Sequence, residues 1–351
     1  MESSESPKYI QTSLAAAITL NLKKGKFYRE ARLNCLNLLL SYESGCKGRC
    51  AYCGLANNRI TPVDENTFIR VKWPKYEFEE ILRQAKKEQD NLKRVCVAMV
   101  TNPRALGDCN YLVRRLKEDT GLLISALVTP TLIRNKSQIA ELKENGADSL
   151  GIAVDTATEK LFERFRGLGV QGPHHWAHYW QVVQDAVDVF GANNVSVHLI
   201  VGLGETEAEM VEVIQRVYQL KAIPHLFAFY PEQGSPLEML GQPPIGQYRR
   251  IQLARYLIVN GLDHREQMKF NSAGQLTAFG INIEPTVNTG LPFMTSGCRD
   301  LQGEVACNRP YGNERPGELL YNYPFRPTGE DLELIRKQLW PGLERNLAAV
   351  R

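Results

Sequence analysis

The chain has 351 residues, of which 43% are hydrophobic and 23% are charged, so its composition is that of an ordinary globular protein. This composition excludes a disordered chain, a collagen and a coiled coil as descriptions of the whole sequence. The 42 basic and 39 acidic residues leave a formal net charge of +3, which is too small an excess to indicate nucleic acid as the partner.

The sequence also predicts a protein that stays outside membranes. Its longest apolar run, residues 95–100, is much shorter than the roughly 18 residues that a membrane-spanning helix needs. The first residues lack the charged and then apolar order of a signal peptide, so we expect a cytoplasmic location. In a compartment that keeps thiols reduced, eight cysteines are metal ligands or catalytic groups more often than disulfides.

Short apolar runs alternate with longer amphipathic segments from residue 36 onward. The predicted strands comprise residues 36–42, 94–101, 122–129, 148–154, 195–201 and 223–230, with a weaker candidate at 268–270. The predicted helices comprise residues 76–89, 109–118, 136–145, 158–165, 174–189, 206–220 and 246–259. Six or seven βα units in series predict a parallel sheet, because parallel strands need crossover connections. They are too few to close an eightfold barrel, so we expect an α/β fold, a partial (β/α)6-type TIM barrel.

Two flanking segments fall outside this alternation, and we expect one barrel with two extensions instead of two independent domains. Residues 1–35 are predicted as an N-terminal helical extension, with short helices at 13–23 and 27–32. Residues 36–275 are predicted as the barrel, and residues 276–351 as a loop-rich C-terminal extension that ends in a helix over 329–350. The extension carries the apolar anchors of an ordered segment: Phe293, Tyr311, Leu320, Tyr321, Tyr323 and Phe325.

A Cys-x3-Cys-x2-Cys array, formed by Cys46, Cys50 and Cys53, follows the first predicted strand. Three thiolates within eight residues, on a loop at the C-terminal end of a parallel strand, can hold three irons of a cubic iron–sulfur cluster. The fourth iron then stays open to an exogenous chelate, which predicts a cluster that performs chemistry. The alternative is a zinc site, which needs four ligands, whereas the nearest further thiol is Cys35, eleven residues upstream.

This array, with Tyr52 directly before its last cysteine, resembles the signature of the radical S-adenosylmethionine (SAM) superfamily. The resemblance implies a [4Fe-4S] cluster whose open iron binds the amino and carboxylate groups of SAM. It implies that an electron from a reductant such as ferredoxin or flavodoxin releases a 5′-deoxyadenosyl radical, which abstracts hydrogen from an unactivated C–H bond. Cys46, Cys50 and Cys53 are then the catalytic cluster ligands, and Tyr52 belongs to the cofactor site.

The resemblance covers about residues 36–270, is nearest to the biotin synthase branch, and implies further cofactor-binding residues. By their matching positions these are Asn102 at the methionine moiety, Asp155 at the ribose hydroxyls, Arg166 at a carboxylate, and Val201, Gly202 and Leu203 along the adenine. Simpler interpretations stay open for two of these positions. Asp155 could cap the helix that follows it, and Arg164 with Arg166 could lie on a solvated helix face.

The remaining cysteines indicate a second cluster that is not of the biotin synthase kind. Cys96 matches one ligand of the second cluster of that family, but the two other cysteine positions of its pattern are Ala126 and Ser196 here. Cys298 and Cys307, nine residues apart in a polar Gly/Asn/Pro loop, have the spacing to hold an auxiliary cluster.

The ligand set of that auxiliary cluster is left open by the sequence. Cys35 is a possible third ligand, and the fourth is Ser296 or a residue that we cannot name. Buried inert thiols, or a zinc pair with His264, are the alternatives for Cys298 and Cys307. Packing accounts for the two cysteines that remain, Cys96 and Cys109.

The C-terminal pattern resembles that of the two-component lipoyl synthases. The resemblance implies two [4Fe-4S] clusters, SAM, and sulfur insertion at C8 or C6 of a protein-bound octanoyl or mercapto-octanoyl chain. It also implies two partners, an octanoylated lipoyl carrier domain or peptide and the second synthase component. The alternatives are a radical SAM enzyme without sulfur insertion, similar to biotin synthase or methylornithine synthase, and a non-enzymatic iron–sulfur or zinc protein.

Overall fold

A computed structural model describes residues 4–57, 59, 67–68, 71–310, 317 and 319–340 of the chain. Its strands are β1 (Tyr9–Thr12), β2 (Cys35–Leu39), β3 (Thr67–Phe68), β4 (Val71–Lys72), β5 (Lys75–Glu77), β6 (Arg94–Ala98), β7 (Leu123–Val128), β8 (Ser149–Asp155), β9 (Val195–Val201), β10 (Ile223–Ala228), β11 (Lys269–Phe270) and β12 (Leu276–Ala278). Its α-helices are α1 (Leu14–Thr19), α2 (Phe78–Lys87), α3 (Ala105–Thr120), α4 (Lys136–Glu144), α5 (Glu159–Phe165), α6 (Trp176–Phe190), α7 (Glu207–Gln219), α8 (Ile245–Val259), α9 (Glu284–Thr289) and α10 (Gly329–Leu339).

One eight-stranded sheet has the order β10-β9-β8-β7-β6-β2-β1-β5. Six of these strands, β2 and β6 to β10, pair in parallel, with helical crossovers between them. This confirms the predicted α/β fold of the partial-barrel type. Alternate residues of each strand face the outer helices. Val95, Val97, Ile124, Ile152 and Val197 are fully buried on that side. The residues between them line the inside of the curved sheet.

Local sequence signals set the helix boundaries. The hydroxyl of Thr158 caps α5, and Thr206 with Glu209 forms a capping box at the start of α7. A second capping box, formed by Thr328 and Asp331, starts α10. The predicted helix over 329–350 therefore begins where expected, while its part after residue 340, like Tyr311, lies outside the described residues.

The edge of the sheet beyond β2 differs from the prediction. Residues 9–12 form β1, which pairs antiparallel with β2 on one side and with β5 on the other. The predicted strand at 268–270 is instead part of a separate two-stranded hairpin with β12. Four-residue and three-residue edge strands carry too little periodicity to be recognised, because their position depends on a partner distant in sequence.

The C-terminal extension crosses the N-terminal ends of the barrel strands. The Arg94 guanidinium at the start of β6 donates to the carbonyl of Arg299, and Asn308 bonds the backbone of Arg32 and Asn34 just before β2. Lys93 and Asp300 form an ion pair at the same end, with the N–O distance 2.5 Å. The extension thereby closes the barrel at the end opposite the Cys46–Cys53 loop. No helix among the described residues is both long and apolar enough to cross a membrane.

Candidate active site

A cavity of about 340 Å³ lies inside the curved sheet, and both groups of cysteines reach it. Cys46, Cys50 and Cys53 line one end of the cavity. Cys96, Cys298 and Cys307 line the cavity as well. The strand register orders the wall between them. Asn37, Cys96 and Ser125 are neighbours at one level, and two residues further along the strands Leu39, Ala98 and Leu127 are neighbours at the next. A two-residue step is about 7 Å, so an apolar level lies directly above a thiol-bearing level.

The Cys46–Cys53 loop follows β2 and presents its sulfur atoms to backbone donors. The N–H groups of Gly48 and Thr101 each donate to the Cys46 Sγ over 3.3 Å. The Leu55 N–H donates to the Cys53 Sγ over 3.4 Å. Hydrogen bonds of this kind stabilise the negative charge of a thiolate, and they recur around iron–sulfur clusters. The donor set therefore fits a cluster held by these three cysteines.

Two thiols of this loop, those of Cys50 and Cys53, are buried enough to resist ionisation on their own. Burial raises the pKa of Cys50 to about 11, with the positive charge of Arg166 acting in the opposite direction. Burial also raises the pKa of Cys53 well above its ordinary value. Since metal ligands must be deprotonated, cluster binding at this loop releases protons.

Asp155 ends β8 in a left-handed conformation, with φ of 69°, which is uncommon for a residue with a side chain. The pairing of β8 with β9 shifts by one residue between Ala153 and Asp155. The Asp155 Oδ2 accepts hydrogen bonds of 2.6 Å from the Tyr52 hydroxyl and from the Arg166 guanidinium. The structure gives Oδ1 no hydrogen bond within its described residues, so that oxygen is available to a ligand in the cavity. Strain of this kind costs about 1–3 kcal/mol and is concentrated at functional sites.

Neither of the simpler interpretations of Asp155 and Arg166 holds in the structure. Thr158, and not Asp155, caps α5. Arg164 is exposed, but Arg166 is only 5% exposed and lines the cavity. Arg166 bonds the carbonyls of Ala153 and Val154 besides the Asp155 carboxylate, so it binds a carboxylate of the protein itself.

Other predicted cofactor residues lie beside the cavity instead of lining it. The Asn102 amide donates to the Ser44 hydroxyl and accepts from the Arg104 N–H, while its neighbour Thr101 lines the cavity. Leu203 belongs to the same buried apolar cluster as Cys50 and Tyr52, so this end of the 201–203 segment packs near the cysteine loop. Gly202 adopts φ of +107°, a conformation that favours glycine.

Glu205 holds the 201–203 segment in place. Its carboxylate accepts from the N–H groups of Gly202 and Leu203 at 2.7 and 2.9 Å. The side chain is almost completely enclosed, and this burial raises the pKa of Glu205 to about 7 against the effect of the two N–H donors.

This raised pKa predicts a pH-dependent contribution to stability. The folded chain binds the Glu205 proton more tightly than the unfolded chain, so the contribution is complete below about pH 4.5 and is lost as the pH rises to about 7. Over that range we expect the free energy of unfolding of the unmodified protein, measured by urea unfolding at a series of pH values, to fall by on the order of 3 kcal/mol. Glu205→Gln should remove this fall. The control is Glu212→Gln on the exposed side of α7, and equal pH profiles for all three proteins would contradict the prediction.

A tight hairpin of the C-terminal extension brings Cys298 and Cys307 together. The N–H groups of Ala306 and Cys307 both donate to the Cys298 carbonyl, at 2.9 and 3.0 Å. A Cβ at position 297 would lie 2.0 Å from the Cys307 carbonyl oxygen, so only Gly297 permits this crossing. The Cys298 Sγ then accepts from the Ser149 hydroxyl, and the Cys307 Sγ from the Asn37 amide.

Four thiols meet at this end of the barrel: Cys35, Cys96, Cys298 and Cys307. Cys35 is fully buried next to Cys307, and its thiol donates to the Leu36 carbonyl over 3.7 Å. The neighbouring Cys35 thiol, together with the charge of Arg309, lowers the pKa of Cys307 to about 6 although burial acts in the opposite direction. Cys96, for which we expected a packing role, lines the cavity, whereas Cys109 is fully buried in α3 and does pack.

Sequence reasoning missed the basic side chains of the cavity. Arg309 is 8% exposed, stacks over the Phe227 ring at 4.2 Å, and has no carboxylate partner among the described residues. His198 and His225 lie side by side on β9 and β10, with ring centroids 5.5 Å apart. Burial lowers the pKa of His198 to about 3 and that of His225 well below its ordinary value, so both imidazoles are neutral. The signal was present, since both histidines occupy inward positions of otherwise apolar strands.

The zinc alternatives find no support in the side-chain positions. His264 is exposed and does not line the cavity that Cys298 and Cys307 share. Ser296, the candidate for the fourth ligand of the auxiliary cluster, is engaged elsewhere, because its hydroxyl accepts from the Leu226 N–H at 2.7 Å. Over the described part of the chain, no three Cys, His, Asp or Glu side chains surround a point that a single metal ion could occupy.

Comparison with known proteins agrees with the fold and with the position of the cysteine loop. Residues 41–217 match the family model of the Radical SAM superfamily. Biotin synthase of Coxiella burnetii (strain RSA 493 / Nine Mile phase I) is 25% identical over 206 residues, which cover 57% of this chain and 59% of that protein. Biotin synthase of Lysinibacillus sphaericus is 25% identical over 198 residues, covering 53% and 52%. The chain thus spans less than two thirds of the length of these curated relatives.

Solved structures resemble this chain at low sequence identity. The FeFe-hydrogenase maturase HydG from Carboxydothermus hydrogenoformans superposes with a TM-score of 0.50 at 15% identity, covering 71% of this chain and 56% of HydG. Methylornithine synthase (PylB) superposes with a TM-score of 0.47 at 16% identity, covering 76% and 79%. The likeness to HydG concerns the fold alone.

Proposed function

The chain belongs to the radical SAM superfamily, and from that premise we propose that it is a sulfur-inserting enzyme, a component of a lipoyl synthase. Membership implies a [4Fe-4S] cluster and SAM. The observation that carries the proposal is a second group of four thiols. Cys96, Cys298 and Cys307 line the same cavity as the cysteine loop, and Cys35 lies fully buried beside Cys307. Thiols at both ends of one cavity support two clusters facing one substrate.

Cys46, Cys50 and Cys53 would hold the SAM cluster, and the second group of thiols would hold the auxiliary [4Fe-4S] cluster, with Cys96 as the fourth ligand. The charge at the second site supports an anionic occupant. Arg309 adds a buried positive charge without a carboxylate partner among the described residues, and an uncompensated buried charge is costly. A sulfide cluster bound by thiolates is negatively charged and would compensate it.

The apolar level of the wall supports an alkyl substrate. Leu39, Ala98, Leu127, Ile200 and Phe227 line the cavity between the two groups of cysteines. None of these side chains can donate a proton or accept one, so they would hold an octanoyl or mercapto-octanoyl chain by apolar contact alone.

When bound, these groups would supply a 5′-deoxyadenosyl radical, formed from SAM by one electron, and a sulfide that bonds to the substrate carbon. For each sulfur inserted, one substrate C–H bond would break, and its hydrogen would pass to the deoxyadenosyl carbon. One C–S bond would form to a sulfide of the cluster that Cys35, Cys96, Cys298 and Cys307 would hold, and the iron of that cluster would take up the released electron. The protein's own part is to hold substrate carbon between the two clusters.

Several side chains would position SAM. Asp155 Oδ1 would accept from ribose hydroxyls, because Tyr52 and Arg166 already occupy Oδ2. The 201–203 segment would support the adenine from behind the loop, and Asn102 would act through Thr101, which lies beside Cys46. A reductant such as ferredoxin or flavodoxin, the second synthase component and an octanoylated carrier domain complete the proposed system in the cytoplasm.

The test is anaerobic reconstitution followed by turnover with SAM, a reductant and an octanoyl-lysine peptide. We expect about eight irons per chain, from four per cluster, and a peptide that gains the mass of one sulfur. The mercapto-octanoyl peptide, assayed in parallel, shows which of C8 and C6 is the target. The double variant Cys298→Ala/Cys307→Ala should keep about four irons and cleave SAM without thiolating the peptide.

Two outcomes would replace the proposal. One cluster's worth of iron in the unmodified protein, with SAM cleavage and no sulfur in the product, would indicate a radical enzyme that does not insert sulfur. A chain that binds iron but yields no 5′-deoxyadenosine under reduction would indicate a non-enzymatic iron–sulfur protein.

A further inference from the structure

We propose that His174 is a positioning residue for the SAM cluster, donating a hydrogen bond from Nε2 to the sulfur atoms on the Cys46 side and raising the reduction potential of the cluster. The proposal rests on the SAM cluster of the proposed function and does not depend on sulfur insertion. His174 precedes α6, is 1% exposed and lines the cavity.

The hydrogen bonds on the far side of the ring determine which nitrogen carries the proton. The His174 Nδ1 lies 2.6 Å from the Thr131 hydroxyl and 2.9 Å from the Tyr179 hydroxyl. Arg166 donates to the Tyr179 oxygen at 3.2 Å, so the hydroxyl hydrogen of Tyr179 is directed to Nδ1. On this basis we assign Nδ1 as the acceptor and place the proton of the neutral imidazole on Nε2.

The Nε2 side of the ring faces the cysteine loop at Gly48. A Cβ on Gly48 would lie 3.2 Å from the His174 Nε2 and 3.2 Å from the Cys46 Sγ, so the absence of a side chain keeps the space between them open. The N–H of Gly48 already donates to the same sulfur. His174 would add a side-chain donor to a sulfur that has two backbone donors.

A donor at this place has a defined electrostatic effect. Hydrogen bonds to cluster sulfurs stabilise the more negative, reduced state and so raise the potential. The same donor chain continues to Arg166 and the Asp155 carboxylate, so the cluster, the loop and the proposed ribose site share one network. A purely structural histidine would pack against Tyr179 without affecting the cluster.

The experiment is a redox titration of the reconstituted full-length protein followed by EPR, using the cluster whose signal changes when SAM is added. We expect His174→Leu to shift the midpoint potential to a more negative value and to slow reductive SAM cleavage about tenfold or more, with unchanged iron content. His174→Gln, which keeps an N–H donor, should restore part of the shift. The matched control is His178→Leu on α6, because the His178 Nε2 bonds the Pro130 carbonyl and does not line the cavity.

An unshifted potential in His174→Leu with normal iron content would overturn the proposal. If that variant fails to fold, Thr131→Val, which removes one hydroxyl from Nδ1, should give a smaller shift in the same direction, and no shift would again overturn it. If His174→Leu shifts the potential as expected but the unmodified protein forms no thiolated product, only sulfur insertion is contradicted. If the unmodified protein thiolates the peptide but His174→Leu does not shift the potential, only the role of His174 is contradicted.

Discussion

Cys50→Ala should abolish reductive cleavage of SAM and remove about four irons from each reconstituted chain. Cys50 is the central ligand of the loop, 9% exposed and packed against Leu161, Phe165 and Phe229. A [4Fe-4S] cluster with only two of its three protein ligands is lost, and with it the electron path to SAM. We expect the rate of SAM cleavage to fall by more than about a hundredfold, because substitutions of residues that only contact metal ligands already cost up to about that much.

Release of 5′-deoxyadenosine under reduction, measured together with iron per chain, checks this expectation. The matched control is Cys109→Ala, the same substitution at a fully buried thiol of α3. That change costs about 1 kcal/mol of stability, as removal of one buried heavy atom does, and should leave SAM cleavage intact. Cleavage by Cys50→Ala at the rate of the control would show that the loop does not hold the radical-generating cluster.

The features that sequence reasoning recovered are those that depend on near neighbours in the chain. The three cysteines of the loop lie within eight residues, so their spacing alone predicts a common ligand. The six parallel strands each carry an apolar run long enough to be recognised, and β9 has the predicted bounds, Val195–Val201. The predicted helix over 206–220 also matches α7, which Thr206 caps.

The features that were missed depend on residues far apart in sequence. Cys96 looks like one more apolar position of β6, and only the register with Asn37 and the return of the C-terminal extension place it beside Cys307. Arg309 similarly gains its place from the hairpin that Gly297 permits. No local pattern contains that information, because these contacts bring residues near position 35 together with residues near position 307.

Asn102 illustrates a different limit. Its position at the end of β6 suggested a side chain directed at the cofactor, but the amide satisfies the Ser44 hydroxyl and the Arg104 backbone. The adjacent Thr101 takes the inward position and bonds Cys46 through its N–H. Side chains alternate between the two faces of a strand, so an offset of one residue after the strand decides whether residue 101 or residue 102 faces inward. The sequence does not determine that offset.

Cys96→Ala should separate the two halves of the proposed reaction. Cys96 lies between Asn37 and Ser125 in the register, and those neighbours contact Cys307 and Cys298 respectively. Removing its thiol leaves the auxiliary cluster one ligand short at the centre of the group, while the Cys46–Cys53 loop at the other end of the cavity is untouched. We therefore expect SAM cleavage to continue, iron to fall from about eight to about four per chain, and thiolated peptide to fall more than about a hundredfold.

Mass measurement of the octanoyl-lysine peptide and of 5′-deoxyadenosine in the same reaction checks this uncoupling, again with Cys109→Ala as the control. The comparison is decisive because the two variants delete the same atom, one from the half-buried Cys96 that lines the cavity and one from Cys109, which is fully buried in α3. Full sulfur transfer by Cys96→Ala would return Cys96 to the packing role that its apolar surroundings in the sequence suggest. Loss of SAM cleavage as well would show that the four thiols support the radical cluster itself and would leave sulfur insertion without its donor.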